Sequence, residues 1–121
     1  MMNKTILKHF GHKHIEETEI YNAYKIFFGT LVSEPRLKII NLLRNGKKNV
    51  SEIINNLKMD QTSVSHDLAR LKRCGFVNMK TSGKFRYYKL NEKTIKPLMF
   101  LIDRHMTQYC AHILNDVKGG K

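Results

Sequence analysis

Apolar residues recur every three or four positions through the first half of the chain, which is the periodicity of amphipathic α-helices. Residues 15–32 form the first predicted helix, with a broad apolar face. The second is predicted to begin at Ser33-Glu34-Pro35, because the first helical turn tolerates proline, and to end at Asn45-Gly46. Asn49 and Glu52 have the spacing of a capping box and start a short third helix. The apolar faces of these helices contain Ile20, Tyr24, Phe27, Phe28, Leu31, Leu37, Ile40, Leu43, Val50, Ile53, Ile54 and Leu57.

The fourth predicted helix, between Asp60 and Gly75, has one apolar and one polar side. Asp60 can cap the first backbone N–H groups, and Gly75 stands where helices commonly end, so we expect about two or three helical turns. The apolar side consists of Val64, Leu68 and Leu71. The polar side consists of Thr62, His66, Ala69 and Arg73. Because only a tight turn separates this helix from the third, the pair predicts a helix-turn-helix whose second helix presents a polar face.

A β-hairpin is predicted directly after this helix. Residues 76–80 and 85–90 are rich in aromatic and apolar side chains and flank the turn Thr81-Ser82-Gly83-Lys84. Between Leu68 and Asn91 there are seven basic residues and no acidic one: Arg70, Lys72, Arg73, Lys80, Lys84, Arg86 and Lys89. Such a hairpin can lay its cations along phosphates while the neighbouring helix enters the major groove of double-stranded DNA. A solvated basic surface is the simpler alternative.

The ends of the chain differ in character. Residues 1–14 are basic and carry three histidines, which predicts a flexible N-terminal arm or a short helix, and residues 15–121 are assigned to one domain. Residues 95–117 form a last helix with an apolar stripe long enough to pair with another helix, so we expect a dimer. That stripe contains Ile95, Leu98, Ile102, Met106, Tyr109, Ile113 and Val117.

Composition narrows the function classes. The 121 residues carry a formal net charge of +12 and a pI near 9.9, which are typical of nucleic-acid-binding domains. No apolar run approaches the roughly 20 residues of a spanning helix, so no membrane partner is expected and the protein is predicted to be cytoplasmic. The two cysteines, Cys74 and Cys110, are too few for a disulfide framework and are expected to be free thiols.

The helix-to-hairpin block resembles the signature of the ArsR/SmtB repressors. The resemblance lies in residues 61–68, Leu71, Gly75-Phe76-Val77, Gly83-Lys84 and Tyr87-Tyr88-Lys89-Leu90, and in the second-helix start at residues 33–40. It covers roughly residues 20–115. It implies a mainly α-helical winged helix-turn-helix with about five helices and a two-stranded wing. It also implies a homodimer joined through the first and last helices, usually a repressor that an inducer, often a metal ion, releases from DNA.

The predicted DNA-binding residues come from the resemblance and from helix geometry. By resemblance, the family's DNA contacts fall on Gln61, Thr62, Ser65 and His66 of the recognition helix and on Lys84 and Arg86 of the wing. Helix geometry adds Ser63 and Arg70. Short polar side chains at a helix N-terminus can approach base edges closely, and the backbone N–H groups there favour phosphate. His66 could instead bond to a neighbouring carbonyl, but its position on the face of Thr62 and Arg73 favours DNA.

The metal sites that the resemblance implies are not preserved in this sequence. The third-helix site requires two cysteines, where this chain has Asn49-Val50-Ser51, an amide and a hydroxyl that bind soft metals poorly. The last-helix site falls on Glu92, Thr94, His105 and Gln108, of which only two could bind zinc. We therefore assign no metal site and no cofactor. Six potential ligands leave an unrelated metal site open: His9, His12, His14, His105, Cys110 and His112.

The sequence favours a sequence-specific DNA-binding repressor. The alternative is a basic winged-helix module for protein or RNA contacts in a larger assembly. An enzyme is not expected, because the chain has no glycine-rich phosphate loop and no recognisable nucleophile with its base. Ser65 and His66 are adjacent on a helix, so their side chains diverge by about 100° and form no catalytic pair.

Overall fold

The computed structural model describes residues 16–119, with the side chains of residues 16–116. The arm predicted for residues 1–14 lies outside the described residues. The elements are α1 (Glu17–Leu31), α2 (Glu34–Leu43), β1 (Lys48–Asn49), α3 (Val50–Leu57), α4 (Gln61–Arg73), β2 (Val77–Ser82), β3 (Phe85–Leu90), α5 (Ile95–His105), a π-helical segment (Met106–Cys110) and α6 (Ala111–Gly119). The predicted order of helices and hairpin is confirmed.

Side-chain caps start α2 and α3 where the sequence predicts them. The Ser33 hydroxyl accepts a hydrogen bond from the Arg36 N–H (3.4 Å) ahead of α2. At α3 the Asn49 side chain accepts from the Glu52 N–H (2.8 Å), and the Glu52 carboxylate accepts from the Asn49 N–H (2.9 Å), which completes the capping box. The prediction of two or three turns for α4 was too short, since its 13 residues make about three and a half turns.

The core lies where α2, α3, α4 and α5 meet the sheet. Val64, Leu68 and Leu71, the predicted apolar side of α4, are completely buried. The other buried members of this cluster are Ile39, Ile40, Leu43, Ile53, Phe76, Val77, Tyr88, Leu90, Ile95 and Met99. Helix α1 packs against this core through Phe27, whose ring stacks on that of Phe76 with centroids 5.1 Å apart. Helix α4 therefore packs against the core through its apolar side, and its polar side remains exposed.

The hairpin belongs to a three-stranded antiparallel sheet with the order β1-β3-β2. The predicted hairpin is confirmed, with Ser82 opposite Phe85 and a turn at Gly83-Lys84. Strand β1, whose Lys48 and Asn49 pair with Tyr88 and Tyr87, was not predicted from the sequence. Two residues are too few to show the alternation by which a strand is recognised.

The predicted last helix is divided by a π-helical segment. In α5, Ile95 and Met99 are buried against the core, and Pro97 lies in the first turn, where its missing N–H breaks no helical bond. Further along the predicted stripe, Met106, Tyr109 and Ile113 are exposed, and the side chain of Val117 lies outside the described residues. The stripe predicted as one surface thus has a packed part up to Ile102 and an exposed part from Met106 to Ile113. Within residues 16–119, every helix is too short or too polar to cross a membrane.

Candidate nucleic-acid interface

The outer face of α4 is open to solvent along its length. Its polar stripe, which consists of Thr62, His66, Ala69 and Arg73, is exposed opposite the buried Val64 and Leu68. The predicted contact residues Gln61, Ser63 and Ser65 are exposed beside that stripe. Hydroxyl, amide, imidazole and guanidinium groups therefore share a convex surface that can enter a major groove.

Asp60 fixes the start of α4. Its carboxylate accepts a hydrogen bond from the Ser63 N–H at 3.0 Å. Bonding to Ser63, chiefly to its backbone N–H, lowers the pKa of the Asp60 carboxyl, because these bonds favour the ionised form. The first turn of the recognition helix is thereby held in place beside the predicted contact residues.

The wing projects basic side chains beside this helix. Lys80, Lys84 and Arg86 are exposed on β2, the turn and β3. Gly83 has a φ of +62°, which suits glycine at the first turn position of a two-residue hairpin loop. Lys47, directly before β1, is a further cation beside the wing that was not predicted from the sequence, and its Nζ lies 5.2 Å from the centre of the Tyr87 ring.

The base of the wing is fixed to the end of α4 through Asn91. Its side-chain nitrogen donates to the Gly75 carbonyl (2.9 Å), and its side-chain oxygen accepts from the N–H groups of Lys93 (3.0 Å) and Thr94 (3.2 Å). The Asn91 N–H also donates to the Phe76 carbonyl (2.9 Å). One amide side chain thus holds the wing at a set distance from the recognition helix.

Arg70 differs from the other predicted contact residues, because it is partly buried. Its Nε donates to the hydroxyl of Thr30 at the end of α1, over 3.1 Å. Thr30 is completely buried, and its hydroxyl donates in turn to the Ile26 carbonyl (2.8 Å). Arg70 therefore lies at the flank of the stripe and has a structural partner that the sequence did not reveal.

Arg36 joins the recognition helix to the first two helices. One Nη donates to the Asp67 carboxylate of α4 (3.2 Å), the other to the Gly29 carbonyl (3.2 Å), and Nε donates to the Thr30 carbonyl (2.8 Å). The Arg36 and Asp67 side chains are only 17% and 15% exposed, so their attraction is screened less than that of a surface pair. The orientation of α4 is consequently tied to the end of α1.

No group of three or more potential metal ligands assembles within the described part of the chain. His105 instead packs on Tyr109, with ring centroids 5.0 Å apart, and Cys74 lies 3.5 Å from the Thr30 hydroxyl. His9, His12 and His14 lie outside the described residues.

A helix-turn-helix with an exposed polar recognition helix, followed by a basic hairpin, defines a winged-helix DNA-binding protein. Residues 33–79 match the family model described as "Bacterial regulatory protein, arsR family". The chain belongs to the ArsR family of transcriptional regulators, as the sequence resemblance predicted. It is 33% identical over 86 residues to the uncharacterized HTH-type transcriptional regulator MJ1325 of Methanocaldococcus jannaschii, covering 70% of this chain and 97% of the relative.

The chain is also similar to a second relative and, in its fold, to a solved structure. Over 66 residues the chain is 32% identical to the transcriptional repressor SdpR of Bacillus subtilis, which covers 54% of this chain and 73% of SdpR. Its fold is similar to that of the homodimeric winged helix-turn-helix DNA-binding domain Mb0332 from Mycobacterium bovis, described as a possible ArsR-family regulator. That comparison has a TM-score of 0.73 and 22% identity, and covers 84% of this chain and 94% of Mb0332.

Proposed function

We propose that this regulator is a homodimeric repressor that binds an inverted-repeat operator through α4 and the wing. The observation that carries the proposal is the exposed polar stripe of α4 beside the basic wing. Thr62, Ser65 and His66, with Gln61 and Ser63, would approach base edges, whereas Lys84 and Arg86 would contact phosphates. The functional unit would be residues 15–121, with residues 1–14 as an N-terminal arm. Because the operator would lie in the chromosome, the protein would act in the cytoplasm. DNA binding and dimerisation require no catalysis.

The proposed dimer uses the first helix and the last helical region. Both expose large apolar side chains, a pattern that marks surfaces for association. On α1 these are Tyr21, Tyr24, Ile26 and Phe28, and Val32 follows them. From α5 to α6 they are Phe100, Leu101, Met106, Tyr109, Ile113 and Leu114. The similarity to the homodimeric Mb0332 domain and the repressor SdpR supports this assembly and its effect on transcription.

A symmetric dimer would present two copies of α4 to the same side of a duplex. The half-sites are then expected about one helical turn, or roughly 10 base pairs, apart. Bound dimer would obstruct the promoter that contains the operator. We propose that an effector releases it, and the matching experiment is titration of the complex with zinc, nickel, copper, arsenite and an oxidant.

Selection of bound duplexes from a random pool tests the proposed function directly. We expect an imperfect inverted repeat to be enriched, and the repeat then serves as the operator in affinity measurements. Lys84→Ala with Arg86→Ala should weaken binding to operator and random duplex by the same factor and reduce the salt dependence. Thr62→Ala with His66→Ala should weaken operator binding by about tenfold to a hundredfold and leave random duplex nearly unchanged.

Lys38→Ala is the control for lost charge, because Lys38 is exposed on α2 and pairs with Glu34 at 3.3 Å. Equal loss on operator and random duplex in the Thr62 and His66 variant would contradict the assigned base readers. Enrichment of no repeat at all, together with tighter binding to RNA, would favour a basic module for RNA contacts instead. A reporter promoter carrying the operator distinguishes repression from activation.

A further inference from the structure

A polar cleft lies between the recognition helix and the junction of α1 and α2. It is lined by Arg36, His66, Asp67, Ala69, Arg70 and Arg73. Its volume is about 320 Å³. Because a water molecule occupies about 30 Å³ in the liquid, a phosphodiester group fits there together with several waters. Three arginines face one carboxylate in this cleft, so positive charge is in excess.

The charges of Arg36 and Asp67 are already paired with each other. All three nitrogen atoms of the Arg36 guanidinium donate within the protein, to Asp67 and to the Gly29 and Thr30 carbonyls. Asp67 in turn has its carboxylate 3.2 Å from Arg36. The uncompensated charge of the cleft therefore lies on Arg70 and Arg73.

Arg70 presents its guanidinium to the cleft in a fixed orientation. The bond from its Nε to the buried Thr30 hydroxyl occupies one edge of the group. Neither Nη donates to another described residue, and Arg73 is exposed without an ion pair in the described part of the chain. A guanidinium held in this way loses little rotamer freedom when its remaining N–H groups bind two phosphate oxygens.

We infer that this cleft binds a phosphate of the DNA backbone, with Arg70 and Arg73 as ligands and Thr30 as the residue that positions Arg70. The inference rests on the proposed function and makes Arg70 a phosphate contact rather than a base reader. It also adds Arg73, which was predicted to lie on the polar stripe but not to bind DNA. His66 lines both the cleft and the stripe, so a phosphate bound here would fix the register of α4 in the groove.

The test is the salt dependence of binding to a random duplex by Arg70→Gln, Arg73→Gln and the control Lys38→Ala. Each arginine variant should lower the slope of log affinity against log salt by about 0.9, the value for one phosphate contact. At about 0.1 M salt this corresponds to roughly an eightfold loss of affinity. Lys38→Ala carries the same change in net charge and should keep the slope of the wild type.

The pair Thr30→Ser and Thr30→Val isolates the positioning role. Serine keeps the hydroxyl that accepts from Arg70, whereas valine keeps the shape of threonine and removes the hydroxyl. We expect the serine variant to bind random duplex like the wild type, and the valine variant to lose affinity and slope in the direction of Arg70→Gln. Circular dichroism and sedimentation establish that both variants remain folded and in the wild-type oligomeric state. Equal binding by folded serine and valine variants would overturn the role of Thr30.

The outcomes separate this inference from the proposed function. A wild-type protein that binds duplexes without sequence preference refutes only the proposed operator recognition, whereas unchanged slopes in both arginine variants refute the cleft. Calorimetry with inorganic phosphate tests a free anion as the ligand. Phosphate binding that is lost in Arg70→Gln, with an unchanged duplex slope, would make this a free-anion site and overturn the DNA assignment. A wild type that binds no duplex refutes both proposals.

Discussion

At the scale of single residues, buried polar side chains determine how the recognition helix is held. The Thr30 hydroxyl accepts from Arg70, donates to the Ile26 carbonyl and lies 3.5 Å from the Cys74 sulfur. Because a buried hydroxyl without a partner costs about 1–3 kcal/mol, these partners favour one arrangement of α1 against α4. The same helix pair is linked a second time through Arg36 and Asp67.

The cap of α4 gives a prediction at this scale. Asp60→Ala is expected to lower the thermal midpoint by a few degrees and to weaken operator binding, because the Ser63 N–H loses its acceptor. Asp60→Asn is the matched control, since asparagine caps helices as well as aspartate does. Thermal unfolding and operator titration of the three proteins provide the measurement. An alanine variant as stable as the asparagine variant would show that the cap has no effect.

The dependence of stability on pH should reveal the same hydrogen bond between Asp60 and Ser63. The pKa of Asp60 is lowered by bonding to Ser63, so its contribution to stability is complete above the pKa of an unfolded aspartate. That contribution is lost as the pH falls through the lowered pKa. Unfolding curves from about pH 7 to about pH 2 should therefore show that Asp60→Asn loses less stability on acidification than the wild type does.

The sequence predicted some residue positions well because the signals are local. The cap signal correctly predicted Asp60 at the start of α4, and helical periodicity correctly predicted that Thr62 and His66 are exposed. Both signals depend only on neighbours within a few positions. The environment of Arg70 could not be found in this way. Its partner Thr30 is 40 positions away, so the contact exists only after α1 packs against α4.

At the scale of elements, the wing is held at both its base and its edge. Asn91 bonds to the end of α4, and β1 adds backbone pairing to β3. The hairpin itself was predictable from aromatic residues flanking a glycine turn. Strand β1 was not predictable, because its two residues become a strand only by pairing with β3, more than 35 positions later in the chain. The π-helical segment is rare in proteins and has no residue signal in Met106–Cys110.

Gly83→Ala tests the turn. At a φ of +62° an alanine is strained by about 1–2 kcal/mol, and since an added Cβ meets no atom within 4 Å, this backbone strain is the whole expected effect. Urea unfolding should show a lower free energy of unfolding for Gly83→Ala. The decrease should be smaller for Gly83→Asn, because asparagine adopts this conformation more readily. Lys84→Ala, one position further, should instead preserve stability and weaken duplex binding. Unaltered stability in Gly83→Ala would mean that the turn relaxes at no cost.

At the scale of the whole molecule, apolar surface and charge are separated. Basic side chains cluster on α4 and the wing, whereas the exposed large apolar side chains of the described residues, apart from Phe85 on the wing, lie on α1, at Val32 and in the last helical region. This separation suits a dimer in which the apolar surfaces of the two copies pack against each other while their basic surfaces bind DNA. The apolar stripe of the last helix was visible in the sequence, but its division into packed and exposed parts was not.

Ile113→Asp tests the proposed dimer. Ile113 is 51% exposed in the single chain, and twofold symmetry would place two new charges in one apolar interface. We expect dimer dissociation to become at least about tenfold easier, with a parallel loss of operator affinity. Analytical ultracentrifugation measures the dissociation of the dimer, and operator titration measures the affinity for DNA. Ile113→Val keeps the apolar surface and should remain dimeric, whereas a dimeric aspartate variant would place the interface elsewhere.

The π-helical segment between α5 and α6 has a geometric consequence for operator choice. Its wider turn holds about one residue more than an α-helical turn, so everything after it is rotated by roughly 100° about the helix axis. Deleting one residue from Met106–Cys110 would restore a regular α-helix and rotate Ile113 and Leu114 to a different face of it. In the proposed dimer this changes the angle at which two copies meet, and hence the span between their recognition helices. The preferred number of base pairs between half-sites would then be set by a turn that never touches DNA.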